Sequence, residues 1–101
     1  MEFLVRFELD IPDGAAESEV EDRARAEAAA AKTLADEGHL VRLWQASDGT
    51  GATMVLGLYR AVGKAELDGL LRGLPLYEWM DTSITPLVEH PNDPAGIRAK
   101  A

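Results

Sequence analysis

The sequence predicts a single α+β domain, and three observations carry that expectation. The chain opens on an alternating apolar–polar segment. A long alanine-rich run at helical spacing follows it. Two further extended segments then flank a glycine-rich turn. Alternation with a period of two marks a half-buried strand, and recurrence every three or four residues marks a helix with one buried face. With 101 residues the chain suffices for one domain and is too short for two.

Residues 2–10 form the first expected strand. Phe3, Val5, Phe7 and Leu9 point one way, and Glu2, Arg6, Glu8 and Asp10 the other. Pro12-Asp13-Gly14 breaks it. Ser18-Glu19-Val20-Glu21 has the S-x-x-E form of a capping box, so the first helix is expected from there to Glu37. Gly38 then suits the left-handed position just past a helix end. Residues 40–46 read as a second strand and 52–59 as a third, joined through Ser47-Asp48-Gly49-Thr50-Gly51 as a hairpin. Leu67, Leu70 and Leu71 place a short second helix over Gly63 to Arg72, ended by Gly73 and Pro75. A last strand is expected over 79–88, with Met80, Ile84 and Val88.

The order β-α-β-β-α-β is the split βαβ, or ferredoxin-like, arrangement: an antiparallel sheet with both helices on one face. The domain is expected over residues 1–91. Residues 92–101, with Pro94 and Gly96, are expected as an extended or mobile tail that reaches over a neighbouring subunit. The second sheet face, carrying Leu4 and one side of the hairpin, calls for cover. A homodimer through the sheet is the expected solution, because a domain of this size buries only about two thirds of its unfolded surface.

Composition narrows the function. Ten basic against eighteen acidic residues give a net charge of −8, and no basic stripe interleaved with aromatics is present. Such a surface repels phosphate backbones and anionic lipids, so neither nucleic acid nor membrane is an expected partner. There is no cysteine, which excludes thiol nucleophiles, thiolate metal sites and iron–sulfur clusters. The opening MEFLVRFELDI lacks the basic start and apolar run of a signal peptide, and a cytoplasmic location is expected.

One residue of the first helix is out of place. At about 100° per residue, Val20, Ala24, Ala28, Ala31 and Leu34 form an apolar stripe, and Glu27 falls inside it. Glu19, Glu21, Asp22, Asp36 and Glu37 lie off it. A carboxylate facing a core is costly unless paired or protonated, and desolvation raises its pKa toward the range of a useful general base. The neighbouring alanines leave room for a ligand. Otherwise Glu27 sits at the stripe edge and reaches water or one of Arg23, Arg25 and Arg42.

Arg42 is a candidate for gripping a substrate carboxylate by two parallel hydrogen bonds, or else pairs with Glu27 or Glu8. Trp44, Tyr77 and Trp79 are candidate pocket walls, or else belong to core or interface. His39, beside a helix C-terminus, is a further candidate contact, although its position also suits a dipole interaction. With His90 as the second of only two histidines, far away in sequence, no metal site is expected. No phosphate loop and no nucleophile elbow is present.

Three segments, taken in order, resemble the muconolactone isomerase family: FLVRFELDIP, EGHLVRLWQ and LPLYEWMDTSITPLVEHP. The last is the most specific, with Leu74-Pro75-Leu76, then Trp79-Met80-Asp81, then His90-Pro91. The resemblance spans about residues 3–91. It implies a ferredoxin-like fold, a tight dimer that often assembles into a decamer, and isomerisation of muconolactone to 3-oxoadipate enol-lactone in aromatic breakdown. Neither metal nor organic cofactor is implied. Aligned back from Glu37-Gly38, Glu27 falls on the family's helical glutamate, which implies that it moves the proton.

The chain also departs from the family pattern. Gln45 follows Trp44 where the family tends to have arginine, and Ala52 and Thr53 follow Gly51 where it has a histidine and a tyrosine. Tyr77-Glu78-Trp79-Met80 stands for Phe-Pro-Tyr-Met. Two further readings therefore stand beside the isomerase. One is a related cofactor-free cyclase, dehalogenase or decarboxylase acting on a larger aromatic or polyketide-like substrate. The other is a binding or assembly protein with a degenerate site.

Overall fold

The computed structural model describes residues 1–47, 49, 50 and 53–95. Asp48 and Gly51 of the expected turn, Ala52 at the start of the expected third strand, and residues 96–101 of the expected tail lie outside them. The elements run β1 (Glu2–Leu9), α1 (Glu17–Asp36), β2 (Leu40–Ser47), β3 (Thr53–Arg60), α2 (Lys64–Arg72) and β4 (Met80–Leu87). The four strands pair antiparallel in the order β2-β3-β1-β4. This is the ferredoxin-like split βαβ that the periodicities predict.

Alternation sets the inner face. Phe3, Val5 and Phe7 of β1 are buried, and their cross-strand partners on β3 are Tyr59, Gly57 and Val55. Leu67 and Leu71 of α2, at 0% and 1% exposure, seal one half of that face together with Leu34 of α1 and Leu74. Over the other half α1 presents small side chains. The sheet there, at Phe7, Leu9, Val55 and Met80, is left with a cavity against the helix.

The capping box does not start α1. The helix begins one residue ahead of Ser18, with Ala16 as N-cap and no side-chain cap. The Pro12–Gly14 turn delivers the chain there, with the Ala15 N–H donating to the Pro12 carbonyl at 3.2 Å and Gly14 at a φ of 86°. Glu17 and Glu19 in the first turn suit the positive helix end. The other end follows expectation. Gly38 takes a φ of 83°, and the His39 and Gly38 N–H groups donate back to the Leu34 and Ala35 carbonyls, a Schellman closure.

The buried stripe of α1 is also turned slightly from the expected one. Val20, Arg23, Glu27, Ala30, Ala31 and Leu34 are the residues at least partly covered, while Ala24 and Ala28 are exposed along its flank. Glu27 is therefore nearer the middle of the covered face than the alanine pattern suggests. Between α2 and β4 the chain makes a single 3-10 turn at Tyr77–Trp79, so β4 starts at Met80 rather than at residue 79.

Candidate active site

The cleft between α1 and the sheet has a volume of about 390 Å³, within the range of small-molecule sites. Ala24, Ala28 and Ala31 form its helical wall, and Phe7, Leu9 and Val55 much of its floor. Among the described residues, three side chains with polar oxygen or nitrogen atoms line this largely apolar space: Glu27, Gln45 and Tyr59.

Glu27 is half-buried, and its Oε1 accepts a hydrogen bond of 2.9 Å from the Leu76 backbone N–H. Two opposing effects act on the carboxyl. Desolvation raises its pKa above the ordinary value, and the Leu76 N–H, which favours the charged form, pulls it partly back. Desolvation wins, so the group holds its proton more tightly than a free glutamate while one oxygen stays anchored. Tyr59 is 3% exposed and packs edge-on against Phe7, ring centroids 6.1 Å apart. Burial first, and then the Glu27 carboxylate, push its hydroxyl up to about 12, so it stays a neutral donor through the working pH range.

Gly57 makes room for that ring. A Cβ at residue 57 would lie 2.6 Å from Tyr59 Cε1 and 3.3 Å from Leu43 Cδ1. Because the ring is packed in the core, it cannot swing away at little cost. Gly57→Ala is therefore expected to lower the melting temperature by several degrees and turnover by about tenfold, through a displaced Tyr59. Thermal unfolding and steady-state kinetics check this, and an unchanged kcat would show that the ring position is irrelevant to function.

The candidates named from the sequence do not all meet here. Arg42 and Trp44 lie on the opposite face of the sheet, with the Arg42 guanidinium 5.1 Å from the Trp44 ring. The cause is a register shift between Leu40 and Arg42: Leu40 opposes Tyr59 and Arg42 opposes Leu58, leaving Val41 as an extra residue. One extra residue flips every later side chain to the other face. Leu43 and Gln45 thus take the inward places that simple alternation from Leu40 would give to Arg42 and Trp44. His39 is also elsewhere, its Nδ1 2.8 Å from the Arg60 carbonyl oxygen at the far end of the sheet. Trp79 is buried beneath the Arg23 guanidinium, 4.2 Å from its ring, and Tyr77 packs against the core.

Of the arginines open to Glu27, Arg25 pairs with Asp22 on the surface, and Arg23 contacts the same chain segment as Glu27. Tyr59 and the Leu76 N–H were not singled out from the sequence. Tyr59 shares the inward parity of Val55 and was legible in principle. A backbone donor from a segment 49 residues away was not.

The family model of muconolactone delta-isomerase matches residues 1–93. The chain belongs to the muconolactone delta-isomerase family. Within it, the chain is 34% identical over 93 residues to muconolactone delta-isomerase 1 of Acinetobacter lwoffii, covering 91% of this chain and 93% of that one. It is 30% identical over 92 residues to the muconolactone delta-isomerase of Cupriavidus pinatubonensis, covering 91% and 97%. A crystal structure of muconolactone isomerase superposes with a TM-score of 0.80 at 24% identity, over 93% of this chain and 95% of that one, which shows the shared fold. Among the described residues, Glu27 is the one acid that lines the cleft.

Proposed function

We propose that the chain is a cofactor-free isomerase that shifts a proton within a small unsaturated lactone, muconolactone or a close relative, with Glu27 as the acid–base group. The observation that carries this reading is the half-buried Glu27 carboxyl, anchored through Oε1 and lining an otherwise largely apolar cleft. The remaining oxygen is left for a ligand. A carboxylate there removes a proton from a ring carbon acidified by the lactone carbonyl. The C–H electron pair passes into the conjugated system as an enolate, and the newly formed Glu27 carboxylic acid returns the proton at a second carbon. Atoms and electrons balance without an added reagent. Charge that develops on the carbonyl oxygen needs a donor in place beforehand, and Tyr59 and Gln45 are the described lining residues whose side chains carry one.

The test is the ultraviolet absorbance change of the protein mixed with muconolactone. Turnover is expected, and a folded protein without it would exclude that substrate. A second reading, a related cofactor-free reaction on a larger and less charged molecule, draws support from Gln45 and the alanine wall of the cleft. It would give turnover of a larger aromatic or polyketide-like substrate and none of muconolactone.

The outer face of the sheet supports self-association. Leu4, Leu56 and Leu58 sit there on the central strands, and Trp44, 39% exposed, on the edge. A homodimer through this face is part of the same reading. Trp44→Glu places a charge on that face and is expected to shift the assembly toward smaller species in light scattering. An unchanged mass would move the interface elsewhere.

A further inference from the structure

A single peptide unit, the one joining Pro75 to Leu76, is gripped on both edges by side chains one turn apart on α1. Arg23 Nη1 donates to the Pro75 carbonyl at 3.1 Å, and the Leu76 N–H of the same unit donates to Glu27 Oε1 at 2.9 Å. Residues four apart on a helix share one face, so both grips come from the same side. Arg23 is itself fixed. Its guanidinium pairs with Glu78, reaches Glu19 Oε1 at 3.2 Å and lies 4.2 Å from the Trp79 ring.

We propose that Arg23 is a positioning residue for the proton shift: it acts through the Pro75–Leu76 peptide to hold the Glu27 carboxyl in place. The inference rests on the reading of Glu27 as the acid–base group. Two physical effects make up the action. The first is geometric. Pro75 has a locked φ and no N–H, so its carbonyl is the backbone group it has to offer, and a charged, forked donor on that oxygen sets the plane of the peptide. The N–H on the other edge then points where Glu27 meets it. The second is electronic. A cation at the carbonyl draws electron density along the amide and strengthens the N–H as a donor, as linked hydrogen bonds polarise one another.

The Leu76 bond is what offsets part of the desolvation of Glu27, so its strength bears on the pH at which the base becomes available. Among the described residues, the ionisable groups placed beside Glu27 are Tyr59 from β3, in the same cleft, and Arg23, one turn away on its own helix. Glu78, from the 3-10 turn, is paired with that arginine. Loss of the Arg23 grip removes the support of a donor that favours the carboxylate, so the Glu27 pKa moves further up.

The experiment compares Arg23→Met, Arg23→Lys and Glu78→Gln in the full chain. Glu27 is titrated by carbon-13 resonances of the glutamate carboxyls, assigned with Glu27→Gln, alongside the acid limb of kcat/KM. Arg23→Met is expected to lower kcat about tenfold and to raise the Glu27 pKa and the acid limb together. Arg23→Lys, which keeps a single charged donor, is expected to fall between it and the parent. Glu78→Gln, which removes the ion pair and leaves the peptide grip, is expected to titrate as the parent.

A folded Arg23→Met protein in which Glu27 titrates as in the parent overturns the inference. So does Glu78→Gln moving the pKa as far as Arg23→Met. Should Arg23→Met not fold, Arg23→Lys decides: an upward shift upholds the inference and an unshifted titration overturns it. Full turnover by Glu27→Gln would instead overturn the reading of Glu27 as the acid–base group, while the carbon-13 titration would still report whether Arg23 controls that carboxyl.

Discussion

Replacing Glu27 with glutamine is expected to lower kcat by about a thousandfold, the scale of a lost general base, while leaving the protein folded and more stable at neutral pH. The two effects share one cause. Glutamine is close in shape, and its carbonyl still accepts the Leu76 N–H, so the anchor of 2.9 Å survives. What goes is an ionisable group kept where water only partly reaches it.

The sign of the stability effect follows from linkage. The folded pKa of Glu27 is raised, so the folded state binds this proton more tightly than the unfolded chain does. The stability that the group contributes is therefore present below the unfolded value, near 4.5, and is lost as pH rises through the higher folded value. Wild-type melting temperature should fall over that window relative to Glu27→Gln, and kcat/KM should rise over it as the base is freed. Thermal melts and a pH–rate profile across pH 4–8 measure both. A variant with parental kcat would sink the assignment of Glu27. A variant less stable than the parent at pH 7 would mean that the carboxylate is stabilised, not strained, by its setting.

The second large effect concerns the wall of the cleft. Ala31 is partly covered, sits on α1 one turn from Glu27, and borders the cavity. Ala31→Leu puts three more carbons into that space. Burying most of a leucine side chain is worth about 1.5–3 kcal/mol, against which leucine loses only a few tenths of a kcal/mol of helix propensity. A rise in stability of about 1 kcal/mol is thus expected, a few degrees in melting temperature for a domain of this size. Activity should move the other way, with kcat/KM down about a hundredfold as the side chain occupies the substrate's place. Opposite signs in the two measurements identify the cavity as a site kept open at the expense of packing. If turnover survived a stabilising Ala31→Leu, the substrate would have to bind elsewhere.

Much of this was legible in one dimension. Alternation over residues 2–9 put Phe3, Val5 and Phe7 inside, because a strand has only two faces and this one is covered on a single side. The Glu37-Gly38 helix stop appears where expected, since a left-handed closure favours glycine on steric grounds alone. Glu27 stood out because helical spacing is fixed by the backbone, whatever the helix packs against. The family segments near residues 74–91 drew on the same local information.

The tertiary structure decided the rest. The start of α1 was set by the preceding turn rather than by the capping box, since a cap contributes only about 1 kcal/mol and packing of the long helix outweighs it. The fates of Arg42 and Trp44 turned on one extra residue at Val41, whose placement depends on how β2 pairs with β3 and not on any property of the segment itself. Gln45 entered the cleft for the same reason. The anchor on Glu27 comes from Leu76 and the neighbouring grip from Arg23, contacts across 49 and 52 residues. Short-range periodicity determines which face of an element is apolar. Which residues meet across the sheet is settled only when the elements dock, because register and backbone donors are shared between segments and belong to neither alone.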